Sequence, residues 1–144
     1  MLGQNTYILM SNLHYKSIQD IIIGDLVRLA NNSYAKVIFI YSGINYIYNI
    51  ITDKFGNYQV TNNHKLALIL NNQYNIKTIN DFMKNNQYNN KQYNIYQGYI
   101  LSGDYPITYN FIIKLYKIDI YYGFNLNTTD NRIIINKNII TYSK

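Results

Sequence analysis

Alternation of apolar and polar residues runs through most of this chain. Tyr34-Ala35-Lys36-Val37-Ile38-Phe39-Ile40-Tyr41 and Ile44-Asn45-Tyr46-Ile47-Tyr48-Asn49-Ile50-Ile51 carry β-branched and aromatic residues at period two, the spacing of strands with one packed face. Ser42-Gly43 lies between them and predicts a hairpin. The same pattern predicts strands over 6–10, 25–29, 57–61 and 65–70, then 107–120, 121–126, 132–135 and 139–142. Turn residues at Gly24, Asn31-Asn32, Phe55-Gly56 and Gly123 punctuate them. The span 71–93 is different, being rich in Asn and Gln and repetitive, so it reads as a flexible polar insert. One short helix is predicted within it over 78–86, capped by Thr78, with Asp81 in the first turn and Lys84 near the end. The expected fold is all-β, a single domain over 1–144 with at most one or two short helices.

Composition narrows the chemistry. A chain of 144 residues can bury a core without staples, and with no cysteine it has no disulfide, thiolate zinc site or thiol nucleophile. The net charge is +6, yet only 14% of residues are charged and the lysines are scattered. The 18 tyrosines follow the apolar period instead of forming a base-stacking surface, so nucleic acid is disfavoured as a partner. No apolar run reaches the ~20 residues of a membrane span. Met1-Leu2-Gly3-Gln4-Asn5 lacks the basic start and apolar core of a secretory signal. A cytoplasmic protein that is not secreted is expected, with no membrane partner.

The stretch Gln59-Val60-Thr61-Asn62-Asn63-His64-Lys65-Leu66 concentrates the candidate chemistry: a hydroxyl, an amide and an imidazole at a strand edge. The plain alternative is a polar turn whose histidine is satisfied by backbone. The other histidine, His14, belongs to a predicted exposed hairpin tip. Two histidines, no cysteines and few carboxylates give no metal set. Asp20 and Asp25 are assigned to turn stabilisation, and Gly43, Gly56 and Gly98 to isolated turns.

Three segments together resemble the splicing domain of an intein, the Hint fold. Met1-Leu2-Gly3-Gln4-Asn5-Thr6-Tyr7-Ile8-Leu9-Met10, followed by Lys16-Ser17-Ile18-Gln19-Asp20-Ile21-Ile22-Ile23-Gly24-Asp25-Leu26-Val27, is similar to the amino-terminal intein block. Thr61 and His64 match the family's Thr-x-x-His block. Tyr121-Tyr122-Gly123-Phe124-Asn125-Leu126, continuing through Arg132-Ile133-Ile134-Ile135 to Ile139-Ile140-Thr141-Tyr142-Ser143, resembles the carboxy-terminal blocks. The polar middle lies where larger inteins carry a homing endonuclease and where split inteins divide. A mini-intein, or two joined fragments of a split one, is therefore implied. A viral or phage B-family DNA polymerase is a host suggested by analogy alone.

The resemblance implies a horseshoe of long, bent strands whose ends meet at one cleft. It also implies self-catalysed splicing without metal or other cofactor: an acyl shift onto the residue 1 side chain, transfer to the residue after the domain, and cyclisation of a terminal Asn. The implied partners are the flanking extein segments and, in a split form, a complementary fragment. His64 would protonate the departing nitrogen, and Thr61 and Asn63 would hold the peptide bond. Met1 occupies the nucleophile position, but its thioether has no exchangeable proton. Ser143 occupies the terminal Asn position, and its hydroxyl cannot form a succinimide. Tyr142 stands at the penultimate position where the family has His. Arg132 and Gly123 replace a His and an Asp found in the last blocks, and are possible supporting residues. Both ends thus read as inactivated, by deliberate removal of the reactive residues or by degeneration of a natural domain. Removal is the simpler account, because the central Thr61-His64 block is kept. A non-catalytic β-rich binding module and an autoprocessing domain that cleaves without ligation are the alternatives.

Overall fold

The structure, a computed structural model, describes residues 1–70, 73–83, 96–102, 105–136 and 138–143. Its strands are β1 (Leu2–Gly3), β2 (Tyr7–Leu9), β3 (Tyr15–Ser17), β4 (Leu26–Arg28), β5 (Tyr34–Thr52), β6 (Asn57–Thr61), β7 (Lys65–Leu70) and β8 (Gln73–Thr78). After a helix, α1 (Ile79–Met83), come β9 (Tyr96–Ser102), β10 (Tyr105–Leu126), β11 (Arg132–Ile135) and β12 (Ile139–Tyr142). All pairings are antiparallel, and the main order is β3-β2-β11-β12-β9-β10-β1-β6-β5-β4, with the β7–β8 hairpin joined through β9. Among the described residues the only other helical element is a 3-10 turn, Ile18–Asp20. The all-β class expected from the period-two pattern is the class observed. Leu2, Ile50, Val60, Leu68, Phe124 and Ile133 are fully buried and come from strands across the sheet, so one core holds both halves of the chain. Among the described residues, no helix is long and apolar enough to cross a membrane.

The expected hairpin at Ser42-Gly43 does not form. β5 runs unbroken through it for 19 residues, and Ser42 and Gly43 pair with Tyr122 and Tyr121 of β10. β10 is likewise continuous over 22 residues, with no break at 120/121. The glycines explain why. Gly43 faces Tyr121, Gly123 faces Tyr41 and Gly98 faces Tyr109 across the ladder. A Cβ on each would lie 2.6, 2.5 and 2.7 Å from the facing tyrosine side chain. Each phenol ring covers a backbone patch that only glycine leaves free, so these are strand positions and not turns. Gly24 and Gly56, at φ +98 and +71, are the turn glycines.

The predicted flexible insert is also corrected in part. Gln73–Thr78 pairs residue for residue with β7, because the apolar strand Lys65–Leu70 offers a ladder edge that polar residues can fill from the solvent side. Thr78 caps α1 as expected, in a reciprocal box. The Thr78 hydroxyl accepts from the Asp81 N–H at 3.3 Å, and Asp81 Oδ2 accepts from the Thr78 N–H at 2.8 Å. The rest of that insert, with Lys84, lies outside the described residues. His14 is exposed in the β2–β3 turn, where its N–H donates to Asn12. Asp25 stabilises its turn by accepting from Ile22 N–H at 3.0 Å and pairing with Lys16 at 2.8 Å.

β1 has the most constrained position. Leu2 pairs with Val60 of β6 on one side and with Tyr122 of β10 on the other, so the start of the chain is an interior strand of the sheet.

If β5 is one strand, Gly43→Ala must collide with Tyr121 and cost about 1–3 kcal/mol. The same change in a Tyr121→Ala background should cost at least ~1 kcal/mol less. Equilibrium urea unfolding of the four variants measures the coupling, which a hairpin tip at residue 43 would lack.

Candidate functional site

β6 ends at Thr61 and the chain turns at once into β7. The turn closes through the His64 N–H, which donates to the Thr61 carbonyl at 3.2 Å. The Thr61 hydroxyl donates to Asn63 Oδ1 at 2.7 Å, and the Asn62 carbonyl accepts from Asn80 N–H at the start of α1, at 3.0 Å. These bonds fix the turn from both sides and send the His64 ring inward, where it is fully buried with Thr61.

The polar turn therefore exists, but it does not satisfy its own histidine. His64 Nδ1 lies 2.8 Å from the Met1 nitrogen, and Nε2 lies 2.7 Å from Thr141 Oγ1 on β12. The Thr61 N–H donates to the Met1 carbonyl at 3.1 Å. One imidazole thus joins the first residue to the last strand. When Nδ1 accepts from a residue 1 N–H, Nε2–H is left to donate to Thr141. Burial, and then the Met1 amino charge, hold the imidazole well below its ordinary 6.5. Burial pushes the Met1 amino group down from 8.0 to about 5.

Inteins are among the solved structures that share this architecture. The chain superposes on the gp41-1 intein with a TM-score of 0.71, at 14% identity, over 98% of this chain and 96% of that one. The DnaB intein from Synechocystis sp. PCC 6803 gives 0.73, at 15% identity, over 99% and 98%. The MchDnaB-1 intein gives 0.74, at 9% identity, over the full length of both. This is the intein fold. No protein-family profile and no curated protein matches the sequence.

Within the intein fold the remaining candidates divide into two groups. Ser143 is fully buried; its N–H donates to the Asn131 carbonyl at 3.0 Å and its hydroxyl has no partner. It follows Thr141 by two residues, about 7 Å along an extended chain. Gly123 lies beneath the Tyr41 ring, and the Tyr41 hydroxyl donates to Met1 Sδ at 3.2 Å. Met1, Thr61, Asn63 and His64 are thus one bonded cluster, and Gly123 borders it through Tyr41. Thr61 and Asn63 spend their side chains on each other, so it is the Thr61 backbone that holds residue 1.

Tyr142 and Arg132 belong elsewhere. The Tyr142 hydroxyl bonds Tyr74, and burial, then Tyr74, push its ionisation far up. Arg132 faces Tyr142 in register, but its guanidinium is held by Asp130 through two bonds of 3.1 and 3.0 Å. Sequence reasoning missed Thr141 and Tyr41. Thr141 had a signal, as the one short polar side chain in Ile139-Ile140-Thr141-Tyr142. Tyr41 had none until its pairing with Gly123 was known.

Two consequences follow for stability. Thr141→Val leaves His64 Nε2 buried without a partner and should cost about 1–3 kcal/mol by denaturant unfolding. For a chain beginning at Met1, both depressed groups bind protons more tightly when unfolded. Their contribution is whole above pH 8 and is lost as pH falls through about 5 and below. The urea midpoint should therefore drop between pH 8 and pH 5, a window above the carboxylate range. A flat midpoint there would contradict the assignment.

Proposed function

We propose that this chain is a protein-splicing domain whose two reactive positions, Met1 and Ser143, carry residues unable to react. The observation that carries the reading is the buried His64, held between the nitrogen of residue 1 and the strand that leads to Ser143. A catalyst that must act at both ends of one chain needs those ends together.

The chemistry follows from the distances. In a precursor, the nitrogen of residue 1 is the amide nitrogen of the upstream junction. A hydroxyl or thiol at residue 1 attacks the preceding carbonyl, a C–O or C–S bond forms, and the C–N bond breaks. The proton leaving the nucleophile is delivered to the departing nitrogen. His64 Nδ1, 2.8 Å from that nitrogen, is placed to carry it. Because burial keeps the ring neutral, it can accept the proton first, and the imidazolium so formed is a strong donor. The Thr61 N–H on the Met1 carbonyl fixes the orientation of residue 1, while the Thr61–Asn63 bond stiffens the turn that supplies it.

At the other end, Ser143 lies in a buried niche with an unpartnered hydroxyl, a place where the amide of an Asn could find the polar partner that Ser lacks. Tyr142 and Arg132 direct their polar groups to Tyr74 and Asp130 and support that strand. The flanking segments are the partners of this reaction. A split form, divided within the polar middle, would rebuild the same site from two pieces.

The test restores both ends with Met1→Ser or Met1→Cys, Ser143→Asn and Lys144→Ser, with a reporter protein on each side. Mass spectrometry should find the two reporters joined and the domain released. His64→Ala should slow the amino-terminal step by about 10²-fold or more. A folded chain that neither ligates nor cleaves would refute splicing, and cleavage without ligation would assign an autoprocessing domain.

A further inference from the structure

The residue 1 side chain has one polar partner among the described residues, and it is not in the Thr61–His64 turn. Tyr41 Oη lies 3.2 Å from Met1 Sδ. Three features place it there. Tyr41 sits on β5 opposite Gly123 of β10, and the ring lies so close over that glycine that a Cβ would be 2.5 Å away. On its own strand it stacks on Phe39, with centroids 6.0 Å apart. β1 is bonded to the same strand β10, through Leu2 opposite Tyr122. Ring and residue 1 are therefore referenced to one ladder and cannot drift apart independently.

We propose that Tyr41 is a positioning residue for the residue 1 nucleophile, its hydroxyl donating a hydrogen bond to the side-chain heteroatom while His64 serves the nitrogen. The proposal rests on the splicing reading above. In a chain with Ser or Cys at residue 1, the heteroatom takes the place of Met1 Cγ, one bond from the sulfur that Tyr41 now meets. Gly123 is the structural condition for the contact, since any side chain there displaces the ring. A cavity of about 320 Å³, lined in part by Tyr41, Tyr122 and Gly123, gives a displaced ring somewhere to go.

The division of labour is specific. The imidazole carries a proton between nucleophile and nitrogen, whereas the phenol stays protonated: burial, then the neighbouring Tyr121, raise its ionisation above the ordinary 10.0. A donor that never ionises near neutral pH stabilises a nucleophile as its negative charge develops. It also selects the rotamer that aims the lone pair.

The absence of cysteine from this sequence makes the test clean, because Met1→Cys introduces a single thiol. Two readouts are taken with and without Tyr41→Phe, which keeps the ring over Gly123 and removes only the hydroxyl. The first is the pH profile of iodoacetamide alkylation of that introduced thiol, in the chain beginning at residue 1. The second is thiol-induced cleavage of an upstream reporter from the precursor. Tyr41→Phe should move the alkylation midpoint up by about one pH unit and slow cleavage about tenfold, with an unchanged melting temperature. Gly123→Ala should slow cleavage by a similar factor, and should add little in the Tyr41→Phe background. Cleavage that is present but indifferent to Tyr41→Phe, with an unmoved alkylation profile, overturns the role of Tyr41 and leaves the splicing reading standing. Cleavage absent from the folded precursor that retains Tyr41 overturns the splicing reading and the role of Tyr41 with it.

Discussion

A single buried imidazole holds the first residue of this chain to its last strand. His64 has nothing polar of its own turn against its ring; Met1 and Thr141 supply both partners. Burying a neutral imidazole is tolerable only when both nitrogens are bonded, so the turn at Thr61, the inner position of β1 and the pairing of β12 are mutually dependent. Removing any one leaves a polar atom stranded in a dry core. Ser143, whose hydroxyl is stranded already, marks the weak point of that arrangement.

The long ribbon of β5 and β10 is the frame on which the arrangement hangs. Its register is set by cross-strand locks in which a phenol ring lies over a glycine, twice between β5 and β10 and once between β9 and β10. A slip by one residue would bring a Cβ under a ring and turn Leu126 and Phe124 away from the core. Because β1 is inserted between β10 and β6, the same locks position the first residue. Stiffness in the frame becomes precision at residue 1.

Much of this was legible in the sequence, for a physical reason. Period-two alternation is local, and so are the signals at Thr61–His64, at the Thr78–Asp81 cap and at the Gly24 and Gly56 turns, where positive φ favours glycine. The resemblance of the end blocks to inteins also held at the level of fold. What failed was non-local. Gly43 and Gly123 look like turns in isolation and become strand residues only when Tyr121 and Tyr41 are seen opposite them. Arg132 and Tyr142 were candidates by block position, whereas alternation along β12 puts Thr141 and Tyr142 on opposite faces, and it is Thr141 that reaches His64.

None of the bonds that complete the imidazole is local: the residues it joins lie near the two extremes of the chain. A ribosome delivers β1 and the Thr61–His64 turn early and β12 last. Until that last strand has paired with β11, His64 lacks Thr141 and its ring has no fixed tautomer or orientation. The cluster is thus completed only by the last strand, and long-range closure of this kind is also the slow step in folding such sheets.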